Sequence, residues 1–222
     1  MESKFITIQD KRMHYKSYLE PNESNKPVCI FIHGANPASQ HTEFWTPILP
    51  VILKHCQPIF LDGYGHGQSA KPSSREEINF NLHKNIYTEF ITKIISDEKL
   101  SSCILIGRSL GGAITHTLAK TFENTLSSIG MIAPAGARMV PETLKDWTKN
   151  VSVLWDSEDP VVGFESYKII ESTLNQVKLF VVGADESIKC VRNQKRYTDL
   201  APSHVPELQY PELFKEFLTS LT

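Results

Sequence analysis

Gly107-Arg108-Ser109-Leu110-Gly111 lies between the apolar run Cys103-Ile104-Leu105-Ile106 and a helix-like run from Leu110 to Lys120. Apolar run, sharp reversal and helical stretch read as strand, turn and helix, with a serine at the tip. Glycines two residues either side of Ser109 remove the side chains that would collide as the backbone reverses. The turn then pushes the hydroxyl out of the sheet's edge, where a substrate can reach it. This is the G-x-S-x-G nucleophile-elbow pattern. Glycine and serine are common, and a serine here can also be the cap of the following helix. The flanking strand and helix favour the elbow.

Outward from the elbow, strands and helices alternate. Lys4 to Ile8 and Met13 to Tyr18 read as two strands joined by a turn, an antiparallel edge. Val28 to Ile32, Pro58 to Leu61, Leu126 to Ala133, Val151 to Trp155 and Val177 to Val182 are further apolar strands. Continuous apolar runs suit a parallel sheet covered on both faces. Helices are expected over Thr42 to Lys54, irregular at Pro47 and Pro50, and over Ile78 to Ile95, Glu165 to Leu174 and Pro211 to Leu221. Counting the elbow strand, the pattern predicts an eight-stranded, mostly parallel, doubly wound α/β sheet flanked by helices. Such sheets bind ligands beyond the carboxyl ends of their strands. The polar motifs all sit at such ends.

Five of those motifs stand in order: Phe31-Ile32-His33-Gly34, Asp62-Gly63-Tyr64-Gly65-His66-Gly67-Gln68-Ser69, Gly107 to Gly112, Leu154 to Val162, and Ser203-His204-Val205-Pro206-Glu207 ahead of Pro211-Glu212-Leu213-Phe214. In this the chain resembles an α/β-hydrolase over nearly all of its length. The resemblance implies a single domain over residues 1–222, no cofactor, and nucleophile, acid and histidine in the order Ser, Asp, His.

Ser109 is then the nucleophile, which needs a base to take its proton. Of eight histidines, His204 is the candidate base, because it follows the last apolar strand and precedes the C-terminal helix, where a loop can swing over the elbow. His33 and His66 belong to other motif loops, and His116 to the helix after the elbow. Asp159 is the candidate acid, orienting the imidazole; Pro160-Val161-Val162 follows it as in the family pattern. Asp156 and Glu158 are close rivals. Backbone N–H groups of Leu110 and Ala35 are the candidate oxyanion donors. His33, Asp62 and Gly65 read as loop-shaping residues. Arg108 is a candidate contact for a substrate carboxylate or phosphate, or else pairs with a nearby acid. Asn36 is a second candidate substrate contact.

Forty-five positions separate Asp159 from His204, more than such proteins usually have. The excess is the polar stretch Ala184 to Thr198, a flap or a surface excursion, and it makes Asp185 a further candidate acid. Conversely, only Ala137 to Asn150 stands where many α/β-hydrolases carry a helical cap. That leaves room for one short helix, Pro141 to Thr148, and no substantial cap domain. An open site suits small-molecule esters or acyl groups on larger partners.

The remaining composition narrows the classes. A chain of 222 residues with 41% hydrophobic and 22% charged residues can fill a core. Its net charge of -2 gives no basis for binding nucleic acid or an anionic membrane. No apolar run nears the roughly 20 residues needed to cross a bilayer. The N-terminus lacks a secretory core. Four cysteines without CxxC spacing suggest neither metal nor redox site and fit a reduced, cytoplasmic setting. Nothing in the sequence specifies an oligomeric state. The expected activity is a serine hydrolase cleaving a carboxylic ester or thioester. Peptidase, lactonase, C–C hydrolase and perhydrolase chemistry would use the same residues, and a non-catalytic scaffold on the same fold is the competing class.

Overall fold

A computed structural model describes residues 1–20, 25–35, 42–74, 77, 79–174, 176–183, 190, 192–194 and 202–222. Among these, β1 (Glu2–Ile8), β2 (Lys11–Ser17), β3 (Val28–Ile32), β4 (Gln57–Asp62), β5 (Cys103–Arg108), β6 (Leu126–Ile132), β7 (Asn150–Asp156), β8 (Val177–Val182) and β9 (Arg192–Gln194) form one sheet. Its order is β1-β2-β4-β3-β5-β6-β7-β8-β9. β1 and β2 run antiparallel at one edge, as the sequence predicts, and the strands from β4 to β9 are parallel. The eight expected strands are all present. The ninth comes from inside the polar 184–198 stretch, where Arg192–Gln194 pairs with Phe180 to Val182 of β8. Three polar residues carry no apolar signature, so the sequence could not announce this strand. Asp185 lies outside the described residues.

The pleat divides the core. Ile30, Ile32 and Leu105 pack on one face with α2 (Phe80–Asp97) and α3 (Leu110–Leu118). Cys29, Phe31, Ile104 and Ile106 pack on the other with α1 (Leu49–His55) and α7 (Pro211–Leu221). Successive strand residues point to opposite faces, so an unbroken apolar strand feeds two cores at once. α7 buries Leu213, Phe214, Phe217, Leu218 and Leu221, one stripe of its surface. α2 begins at Asn79, whose side chain accepts from the Leu82 N–H at 2.9 Å, a standard N-cap.

Two expected helices differ in form. The Thr42–Lys54 stretch is a 3-10 segment (Thr42–Ile48) followed by α1. Pro50 stands in the first turn of α1, where a missing N–H is tolerated. Between β6 and β7 the helix is shorter than Pro141 to Thr148: a 3-10 turn (Ala137–Met139) leads to α4 (Val140–Thr143). Val140, Leu144 and Trp147 are buried in the core. This connection is therefore core packing and builds no cap domain. After β7, α5 (Tyr167–Thr173) is preceded by a 3-10 turn, and a short α6 (Pro206–Gln209) precedes α7.

The tightest packing lies under the elbow. A Cβ on Gly111 would stand 2.3 Å from the Ile32 carbonyl oxygen, and one on Gly107 would stand 2.1 Å from that of Gly111. Both obstacles are backbone and cannot rotate away. Gly111→Ala should therefore destabilise the protein by about 3 kcal/mol, a fall of roughly 5–10 °C in Tm for a chain of this size. Thermal unfolding followed by circular dichroism reads this; an unchanged Tm would contradict the close approach.

Candidate active site

Ser109 joins β5 to α3 with φ 51° and ψ −115°, a region costly for any residue with a side chain. The surrounding backbone holds it there. Its N–H donates to the Ile132 carbonyl at 2.8 Å, and its own carbonyl accepts from Ala113 at 3.1 Å and Ala135 at 3.0 Å. The end of β6 thus grips the elbow from beside it. Leu110 is the first residue of α3, where the backbone N–H has no acceptor within its own helix.

Asp159 and His204 meet. His204 Nδ1 lies 2.7 Å from Asp159 Oδ2, and the two side chains are 9% and 0% exposed. The other Asp159 oxygen accepts from Val161 N–H at 2.8 Å and Val162 N–H at 2.9 Å. A carboxylate can only accept, so Nδ1 carries the proton and Nε2 keeps its lone pair. That Nε2 is buried and has no hydrogen-bond partner among the described residues. Ser109, 9% exposed, is not hydrogen-bonded to it. Such bonds often tighten only once substrate is bound.

Asp156, the rival acid, does something else. Its Oδ1 accepts from Glu158 N–H at 2.9 Å, and its Oδ2 from Ser203 N–H at 3.0 Å. One buried carboxylate thus ties the turn bearing Asp159 to the loop bearing His204. Ser203 Oγ then accepts from Val205 N–H at 2.9 Å, closing a local turn around His204. Glu158 takes part only through its backbone in these bonds.

Arg108 pairs with an acid, the alternative that the sequence left open beside a substrate contact. Its side chain is 1% exposed, its Nε is 2.9 Å from Glu207 Oε1, and it donates to the His204 carbonyl oxygen. Alternation along β5 puts residue 108 on the face of Ile104 and Ile106, which α1 and α7 cover. Burial pushes the Glu207 carboxyl pKa up, and the Arg108 charge opposes this. Asn36, the other expected substrate contact, lies outside the described residues, whereas Ala35 is described and exposed.

The loop-shaping residues act as such. His33 Nε2 accepts from Gly63 N–H at 2.9 Å, which leaves its Nδ1–H for the Gly34 carbonyl at 2.7 Å. Asp62 binds His14 Nδ1 at 2.7 Å and accepts from Gln68 N–H at 2.9 Å. Three of the four cysteines, Cys29, Cys56 and Cys103, are buried, free thiols. Burial pushes Cys103 up to about 12, which suits packing rather than nucleophilic chemistry. No group of three or more His, Cys, Asp or Glu that could hold a metal ion occurs among the described residues. No described helix is long and apolar enough to cross a membrane.

No family model matches the chain. It is 27% identical over 121 residues to the 2-hydroxy-6-oxo-6-(2'-aminophenyl)hexa-2,4-dienoic acid hydrolase of Metapseudomonas resinovorans, a match over 54% of this chain and 39% of that protein. It is 27% identical over 113 residues to putative esterase/lipase 2 of Mycoplasma genitalium, over 50% of this chain and 39% of that one. The matches thus span about two-fifths of these relatives' length. The solved structure of the 2-hydroxy-6-oxo-6-phenylhexa-2,4-dienoate hydrolase from Rhodococcus sp. strain RHA1 aligns with a TM-score of 0.78 at 15% identity, covering 98% of this chain and 97% of that one. The chain is an α/β-hydrolase-fold protein. The two relatives and the solved structure just described are named as hydrolases or as an esterase/lipase.

Two measurements check this site's physical description. Asn at position 156 offers one carbonyl where Asp156 offers two oxygens, so either Glu158 or Ser203 N–H loses its acceptor. Asp156→Asn should cost about 2 kcal/mol, seen as roughly thirtyfold faster amide exchange at one of those residues; unchanged exchange at both would refute the tie. Separately, burial holds His66 and His116 down to about 4, against an ordinary 6.5. The unfolded chain then takes up protons between pH 6.5 and 4 that the folded protein refuses. Stability is full above about 6.5 and falls as pH drops through that window. Urea unfolding across pH should show this, and His116→Gln should flatten it.

Proposed function

We propose that this protein is a single-domain serine hydrolase that cleaves a carboxylic ester or thioester through Ser109, His204 and Asp159. The observation that carries the reading is the state of His204. Asp159 fixes its proton on Nδ1, and its Nε2 lone pair is buried and unpartnered among the described residues. Such an imidazole is a base waiting for a proton, and the strained Ser109 is the hydroxyl that supplies one.

In the first half-reaction Ser109 Oγ attacks the carbonyl carbon while His204 Nε2 takes its proton. The Asp159 carboxylate balances the imidazolium. The N–H groups of Leu110 and Ala35 receive the oxyanion. The C–O or C–S bond then breaks, and the alcohol or thiol leaves with the proton from His204. Water repeats the sequence on the acyl-enzyme, releasing the acid and restoring Ser109. Met139 and Val161 are exposed apolar residues, one before α4 and one beside Asp159; they suit an acyl chain crossing an uncapped surface.

A second reading, hydrolysis of a 2-hydroxy-6-oxo-hexa-2,4-dienoate, is favoured by the relatives named for such substrates. It is weakened by Arg108, the cation beside the nucleophile, being committed to Glu207 and the His204 carbonyl rather than open to a substrate carboxylate.

A fluorophosphonate probe should label Ser109, and Ser109→Ala should abolish labelling. p-Nitrophenyl esters of short acyl length should be turned over, with Asp159→Asn lowering kcat by about 10³- to 10⁴-fold. An unlabelled wild type sinks the proposal. Turnover of a dienoate but of no ester or thioester would select the second reading.

A further inference from the structure

We propose that Arg108 and Glu207 form a positioning pair that sets where His204 stands relative to Ser109. The inference rests on the reading of Ser109 as nucleophile and His204 as base.

Arg108 is the residue immediately before Ser109, the last of β5. Its guanidinium contacts Glu207, His204 and Phe44. Nε meets Glu207 Oε1 at 2.9 Å. Nη2 donates to the backbone oxygen of His204 itself. Its Cζ lies 5.2 Å from the centre of the Phe44 ring. Glu207 is 0% exposed and stands in α6, three residues after His204. The planar guanidinium therefore joins the nucleophile's neighbour to the histidine by a hydrogen bond and to the helix that follows it by an ion contact outside hydrogen-bond geometry.

Stability does not account for the pair. Taking two charges out of water is costly, and buried ion pairs are often no better than apolar residues of the same volume. Geometry does account for it. The other ties on the His204 loop, from Asp156 to Ser203 and from Asp159 to His204, both come from the end of β7. Ser109 follows β5, and β6 lies between the two strands. Without Arg108, the distance from Ser109 to His204 depends on how β5, β6 and β7 stack. With Arg108, the histidine's own carbonyl is gripped from the nucleophile's strand. Proton transfer is sensitive to such placement, where an error of about 1 Å can cost 10²-fold.

The test uses the double variant Arg108→Met/Glu207→Leu, which removes both charges together and leaves neither buried alone. It should fold with a Tm within about 3 °C of wild type. Its rate of fluorophosphonate labelling at Ser109 should fall by roughly 10- to 100-fold. On whichever p-nitrophenyl ester the wild type turns over, kcat should fall by the same factor with KM within about twofold. Glu207→Gln, which keeps an oxygen for Arg108, should recover most of the rate. Arg108→Lys should hold the Tm but not the rate, because an ammonium lacks the fork. A folded double variant that labels at the wild-type rate overturns the positioning role while leaving the Ser109 reading intact. So does a rate that falls only in step with Tm. Should the double variant fail to fold, a wild-type rate in Arg108→Lys overturns the role equally. An unlabelled wild type overturns the Ser109 reading and this inference with it.

Discussion

The first turn of α3 lies so close to the backbone of β5 and of β3 that no Cβ fits at Gly107, which meets the Gly111 carbonyl, or at Gly111, which meets the Ile32 carbonyl. That approach forces Ser109 into its left-handed corner, since strand and helix can be joined over so short a path only by a reversal there. The strain is held in place by the sheet. The end of β6 supplies the Ile132 carbonyl and the Ala135 N–H that bracket the serine. Every strand from β3 to β8 is buried almost throughout, so the frame around the elbow is stiff. A surface turn could not store such a conformation.

Two aspartates three residues apart divide their work by the direction in which each faces. Asp156 spends its carboxylate on two backbone N–H groups, one in its own turn and one in the distant loop. Asp159 faces His204 and is braced by Val161 and Val162. Both are buried carboxylates made tolerable by donors. The loop bearing His204 is consequently held at Ser203 by hydrogen bonding, at the imidazole by Asp159, and at the His204 carbonyl by Arg108. It need not be intrinsically rigid, because three contacts from two elements, the end of β7 and the end of β5, specify its position.

The short β6–β7 connection has a functional counterpart. Val140, Leu144 and Trp147 turn inward to complete the core, so this connection leaves little chain of its own over the carboxyl ends of the strands.

The sequence by itself determined the strand–turn–helix at Ser109, the doubly wound parallel sheet and a β6–β7 connection too short to form a cap domain. These follow from local chemistry: apolar runs long enough for strands, glycines where backbones cross, and too few residues between two strands for a cap to form. It also favoured Asp159 over Asp156 and Glu158, through the motif that follows it. Only the tertiary structure decided which carboxylate meets His204, because three acids in one turn differ in orientation and not in type. Only it turned Arg108 inward onto Glu207, since neither residue's partner is set by sequence spacing; the two are nearly a hundred positions apart and meet because α6 packs beyond the carboxyl end of β5. The strand at Arg192–Gln194 was illegible for a related reason. Its pairing is supplied by the open edge of β8, and backbone hydrogen bonding leaves no mark in side-chain pattern.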